Sequence, residues 1–140
     1  MDYEELESNL LFFDDWSDRY QYIIGLGAKL PPLPEDYHTD KYRVEGCMSQ
    51  VWLKTDIVQE NGQKKLRFNA DSDSAIVKGL FAVLRTLFSD KTPEEILAVD
   101  LDAAFERIGL DRHLSPNRRN GFYAMIEEMR RSAAVVRSMG

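Results

Sequence analysis

The 140-residue chain has a single cysteine, Cys47, and only two histidines, His38 and His113. One thiol excludes an internal disulfide, a four-cysteine zinc site and a Cys-x-x-Cys redox pair, and it cannot hold an iron–sulfur cluster alone. Any sulfur chemistry must therefore run between molecules. Basic charge is scarce too, with 18 lysines and arginines against 24 acidic residues and a net charge of −6. A protein that binds nucleic acid neutralises phosphates with a basic surface, so DNA and RNA are not expected as main ligands. Long apolar runs are missing: stretches such as Leu80–Leu84 fall far short of the roughly 20 residues that cross a bilayer. The N-terminal MDYEELESNL is acidic where a signal peptide is basic. No membrane partner and a cytoplasmic location are expected. There is no internal repeat, Gly/Ser linker, Gly-x-Gly-x-x-Gly, P-loop or His-Glu-x-x-His, so nucleotide and zinc-protease chemistry have no motif to rest on. With 44% hydrophobic residues, the chain is too apolar for a disordered one and fits one domain over residues 1–140.

What is present reads as an α+β pattern. Leu6, Leu10 and Phe13 predict a short helix over 3–13, and Trp16, Tyr20, Ile23, Ile24 and Gly27 place a buried stripe on a helix over 15–28. Pro31, Pro32 and Pro34 stop helix formation, and the polar segment from Glu35 to Glu45 reads as an exposed loop. Strands are predicted at 50–59 and 64–71, joined by Asn61-Gly62, the strongest short hairpin signal. Leu66, Phe68 and Ala70 alternate with Lys65, Arg67 and Asn69, so one sheet face meets helices and the other meets water. The segment Asp71-Ser-Asp-Ser supplies capping residues for a very apolar helix over 74–88, with Asp71 and Asp73 read as caps rather than metal ligands. Thr92-Pro-Glu-Glu is a capping box for a short helix, another short helix ends at Gly109, and Ser115-Pro116 starts a long final one. That last helix carries Phe122, Met125, Ile126, Met129, Ala133 and Val136 on one face. The expected fold is a two-layer α+β domain, a small antiparallel sheet packed against helices, with room for a third strand.

Cys47 is the residue to which chemistry can be attached. A free cysteine is commonly a small buried hydrophobe, but Gly46 precedes this one and a polar loop leads into it, which places it where a loop enters the first strand. Ser49 is close enough in sequence to donate a hydrogen bond to a thiolate. Arg107, Arg112, Arg118, Arg119, Arg130 and Arg131 give the C-terminal third a basic bias, readable as solvated helix faces or as a docking surface for an acidic partner. Three readings stay open at this point: a sulfur acceptor, an independent cysteine hydrolase assembled with His38 or His113, and a non-catalytic adaptor.

Four segments in order, Leu30-Pro-Pro-Leu-Pro34, Val44-Glu-Gly-Cys-Met-Ser-Gln-Val-Trp-Leu53, Phe68-Asn-Ala-Asp-Ser-Asp-Ser-Ala-Ile-Val-Lys-Gly79 and Leu110-Asp-Arg-His-Leu-Ser-Pro-Asn-Arg-Arg-Asn-Gly121, resemble the SufE family of cysteine desulfuration proteins. The resemblance extends over nearly the whole chain. It implies a fold similar to the IscU scaffold and a protein that takes persulfide sulfur from a pyridoxal-phosphate cysteine desulfurase of the SufS or CsdA kind. It further implies that the protein stimulates that enzyme and passes the sulfur towards iron–sulfur scaffold proteins. The family's acceptor matches Cys47, with Gly46, Met48, Ser49 and Gln50 as supporting loop residues; many relatives have glutamine where this chain has Met48. Arg118 matches the arginine of the family's Ser-Pro-x-Arg motif, and with Arg119 it is expected to dock the desulfurase. The pyridoxal chemistry belongs to the partner, so the chain itself need bind no cofactor. Because a persulfide is easily lost to reductants, Cys47 is expected to rest partly shielded by apolar neighbours on a loop able to swing out.

Overall fold

The computed structural model describes residues 1–139. Helices α1 (Tyr3–Phe12) and α2 (Trp16–Ala28) come first, followed by strands β1 (Val51–Glu60) and β2 (Gln63–Ser72). Helices α3 (Ala75–Phe88), α4 (Pro93–Ala98), α5 (Leu101–Ile108) and α6 (Pro116–Ser138) complete the chain. The architecture is the expected α+β one. Asp2, Asp15, Ser74, Thr92, Asp100 and Ser115 each accept a first-turn amide through the side chain, so every helix begins on a satisfied cap. Thr92 and Glu95 complete the predicted capping box.

Asn61 and Gly62 both take positive φ, 55° and 76°, which closes a two-residue hairpin with the twist that its strands require. The antiparallel register runs from Glu60 opposite Gln63 to Val51 opposite Ser72. Val51, Leu53, Leu66, Phe68 and Ala70 are buried on the helix-facing side, as their alternation predicts. The outer edge of β2 is taken up by the end of α3. The Leu66 amide donates to the Lys91 carbonyl and its own carbonyl accepts from the Asp90 amide, while the Phe68 amide donates to Ser89 and its carbonyl accepts from Arg85.

The core centres on α3, whose Leu80, Val83, Leu84 and Phe88 are fully enclosed. Helix α2 crosses it at two glycines. A Cβ on Gly79 would lie 2.4 Å from the Ile23 carbonyl oxygen and one on Gly27 would lie 2.5 Å from the Gly79 nitrogen, so the backbones touch only because both residues lack side chains. Helix α6 lies against α3 and α4, and all six apolar residues of its predicted stripe are buried.

Two expectations need correction. The segment from Glu35 to Glu45 is exposed at most positions as expected, but it is not a free loop: it forms two short 3-10 turns, Glu35–Tyr37 and Asp40–Tyr42, and is anchored to the hairpin. Tyr37 packs edge-on against Tyr42, the Lys54 ammonium sits over the Tyr37 ring, and Val44 is buried. No full third strand forms among the described residues. Arg43 and Val44 make only an isolated bridge to the start of β1, with the Val44 amide donating to the Val51 carbonyl at 2.8 Å.

Candidate site at Cys47

Gly46 has φ of +91°, a backbone state that residues with a Cβ rarely adopt. This turns the chain so that Cys47 comes to rest against α6. Its Sγ donates to the Gly121 carbonyl at 3.6 Å, and a Cβ on Gly121 would lie 3.5 Å from the sulfur. The thiol is half-buried. It opens on a cleft of about 430 Å³ whose walls are the loop residues Met48 and Ser49, the start of α3 at Ser74 and Val77, and Ser115, Asn117, Arg118 and Gly121 at the start of α6. Arg118 lines this cleft, whereas Arg119 does not. Met48 is 78% exposed. Among the described residues Cys47 makes no hydrogen bond to Ser49; its partner is the carbonyl on α6.

The downstream end of the loop is clasped to the start of α3. The Gln50 amide donates to the Asp73 carboxylate at 3.1 Å, and the Asp73 amide donates back to the Gln50 carbonyl at 3.3 Å. Asp73 therefore does not cap α3, and neither does Asp71; the capping oxygen is that of Ser74. Asp71 instead accepts from the Ser72 amide and bonds His38 Nε2 at 2.8 Å, with Lys78 3.5 Å away. Local sequence suggested caps because aspartate before a helix commonly is one. The partners that won are 23 and 33 residues distant.

Burial pushes the Cys47 thiol above its ordinary pKa, and the positive charge of Arg43 opposes this only in part. Seated against Gly121, the sulfur is thus a protonated thiol at neutral pH and a weak nucleophile, because the thiolate is the reactive form. Neither histidine is positioned to change that. His38 lies against Asp71 and edge-on to Trp52, and His113 stacks on Trp16 with ring centres 4.2 Å apart. The Asp71 bond raises the His38 pKa above its usual value, against some opposition from burial. Burial pushes the Asp71 carboxyl up, but the bonds from His38 and Ser72 together with Lys78 outweigh it and leave it lowered. Part of the basic bias is spent inside the molecule: Arg107 pairs with Glu7, Arg131 with Glu128, and Arg130 donates to the Leu97 carbonyl.

Comparison with known proteins identifies the fold and the family together. The model of SufE, the Fe-S metabolism associated domain, matches residues 4–133. The chain belongs to the SufE family. Among its relatives is an uncharacterized SufE-like protein of Rhizobium meliloti, 40% identical over 130 residues that cover 93% of each chain. Another, from Rhizobium etli, is 40% identical over 132 residues, 94% of this chain and 89% of the relative. A solution structure of a hypothetical protein from Thermus thermophilus superposes with a TM-score of 0.72 over 97% of this chain and 96% of that one, and at 21% identity it establishes the shared fold. Membership ties this SufE protein to iron–sulfur metabolism. No helix among the described residues is long and apolar enough to cross a membrane.

Proposed function

We propose that this SufE protein is a sulfur acceptor, with Cys47 receiving sulfur from the persulfide of a pyridoxal-phosphate cysteine desulfurase and passing it to iron–sulfur cluster assembly. The observation that carries the reading is the half-buried thiol on a glycine-turned loop, opening on a cleft that Arg118 lines. In the transfer step the Cys47 thiolate attacks the outer sulfur of the donor persulfide. A new sulfur–sulfur bond forms at Cys47, the donor's own sulfur–sulfur bond breaks, and the donor cysteine leaves as a thiolate that takes up a proton. No external oxidant or reductant is consumed, because one sulfane sulfur moves between two thiols. A second cysteine beside the acceptor would expel the cargo as sulfide and close a disulfide, so a lone thiol suits a carrier.

The same geometry motivates a seated and an extended state of the loop. Seated, the thiol is protonated and rests against Gly121, with Val77 on the wall of the cleft it opens on. Extended, it regains an ordinary pKa and can reach into a partner's active site. Gly46, Met48 and Ser49 form the moving segment, Gln50 supports it as the anchored downstream end, and Arg118 with Arg119 docks the desulfurase. A hydrolase reading lacks a base, since both histidines are engaged elsewhere. Mixing the protein with a desulfurase and cysteine, then weighing it intact, tests the proposal: one added sulfur atom is expected on the native chain and none on Cys47→Ser. A Cys47→Ser variant that stimulates the desulfurase as well as the native protein would instead make the chain an adaptor.

A further inference from the structure

Charge is unevenly placed along this chain. Residues 2–18 hold seven of its 24 acidic residues and no lysine or arginine, which leaves 17 acidic against 18 basic residues elsewhere. The whole negative balance therefore sits on α1 and the start of α2. Of those seven side chains only Glu7 forms an ion pair among the described residues, with Arg107. Arg19, the next cation in sequence, is turned inward: its guanidinium donates to the Phe13 and Ile108 carbonyls and lies over the Trp16 ring. Local structure accounts for part of this charge, since Asp2 and Asp15 cap the two helices and Glu4, Glu5 and Asp18 suit their first turns. It does not account for Asp14, which lies just beyond the negative end of α1 and caps neither helix. Nor does it account for the apolar pair beside that aspartate. Phe12 is 81% exposed, more than any other large apolar side chain among the described residues, and Leu11 is 45% exposed. Phe12 meets Phe13 edge-on, which leaves most of its ring in water.

We propose that the outer face of α1 docks a cationic amphipathic helix of another protein. Glu4, Ser8, Leu11, Phe12 and Asp15 follow the spacing of one helical stripe, and all five are exposed. A helix laid along this stripe would set apolar side chains over Leu11 and Phe12. Its lysines or arginines would meet Glu4 at one end and Asp14 with Asp15 at the other. Taking Leu11 and Phe12 out of water supplies the affinity, and opposite charge sets the orientation and the choice of partner. Other occupants fit less well. An anionic bilayer or a nucleic acid would be repelled by the unpaired carboxylates. An acidic protein surface, of the kind that suits Arg118 and Arg119, would be repelled as well, so this face and those arginines select different surfaces.

Fluorescence anisotropy of a labelled leucine–lysine peptide in amphipathic helical spacing, titrated with the full chain, tests this, together with amide shifts of the isotope-labelled protein. Saturable binding that weakens as salt rises is expected, with the shifted amides confined to α1 and the start of α2. A peptide of the same composition with its leucines spread around the helix should bind about tenfold more weakly. Leu11→Ser with Phe12→Ser should weaken the amphipathic peptide by about tenfold and keep the salt dependence. Glu4→Lys with Asp14→Lys should weaken it to a similar degree and flatten the salt dependence. All four positions are exposed, so both variants should keep the native fold. The proposal is overturned by an absence of saturable binding, by equal affinity for the two peptides, by shifts centred on Arg118 instead of α1, or by an affinity that survives the loss of Leu11 and Phe12.

Discussion

The sulfur of Cys47 rests 3.6 Å from the carbonyl oxygen of Gly121, a residue 74 positions later in the chain. Helix α6 forgoes a side chain at that point, at a cost of about 1 kcal/mol relative to alanine, and the sulfur takes the place a side chain would fill. An alanine Cβ there would make ordinary contact at 3.5 Å. Gly121→Ala is therefore expected to fold with equal or greater stability and to leave thiol alkylation within about twofold of the native rate. Gly121→Val adds methyl groups that compete for the sulfur's position. Its alkylation should rise about tenfold and its apparent thiol pKa should fall towards the ordinary value, since both follow from lost burial. Rates of iodoacetamide reaction measured across pH give both quantities, and equal rates in the two variants would show that Gly121 is not the seat.

A pH dependence follows from His38 and Asp71. The His38 pKa is raised above 6.5 by the Asp71 bond, so its stabilisation is complete below 6.5 and is lost as pH rises through the folded value. The Asp71 pKa is lowered below 3.8, so its share is present above 3.8 and is lost as pH falls through the folded value. The pair thus contributes most between these limits. His38→Gln should cost about 1 kcal/mol at mildly acidic pH, with the gap to the native protein narrowing as pH rises past the His38 titration. Urea unfolding at several pH values measures it. A constant gap would assign the effect to packing against Trp52.

Three glycines in two neighbouring helices should respond in opposite directions to the same substitution. Gly79→Ala drives a Cβ to within 2.4 Å of the Ile23 carbonyl oxygen, and the overpacking should cost about 3 kcal/mol in spite of alanine's better helix propensity. Gly27→Ala meets the Gly79 backbone and should behave likewise. Gly25→Ala, with nothing within 4 Å of its Cβ, should gain up to about 1 kcal/mol. Denaturation midpoints separate these cases, and a destabilised Gly25→Ala would contradict the contact explanation.

Reversing the charge at Arg118 and Arg119 should weaken desulfurase binding by about tenfold and flatten its salt dependence, since screened attraction between surfaces acts on encounter and specificity. Titration of the partner at two ionic strengths reads both effects. Unchanged affinity and salt slope would remove these arginines from the docking surface.

Features governed by local chemistry were legible in the sequence. Asn61-Gly62 announced the hairpin, Thr92 with Glu95 announced a helix start, and the six apolar residues of the buried stripe on α6 stood out by spacing alone. Most of Glu35 to Glu45 is exposed as read, but the contacts that hold it down, Tyr37 with Tyr42 and Lys54 and His38 with Trp52 and Asp71, are ones that no local pattern encodes. Asp71 near the end of β2 and Asp73 just after it were misread for the same reason: their partners, His38 and Gln50, lie far back in the chain. At the site, Gly46 and Cys47 were readable as a loop element, but the seat at Gly121 and the clasp between Gln50 and Asp73 exist only once α6 and α3 have folded against that loop.

Arg85 and the segment Ser89–Lys91 just after α3 occupy the outward backbone groups of Leu66 and Phe68, so the centre of β2 is closed to a further strand and β1 is the freer side of the hairpin. A ribbon that can be lengthened from one side alone does not propagate. A like hairpin joined through its own β1 would present a β2 closed at its centre in the same way, so growth by such hairpins stops after one addition.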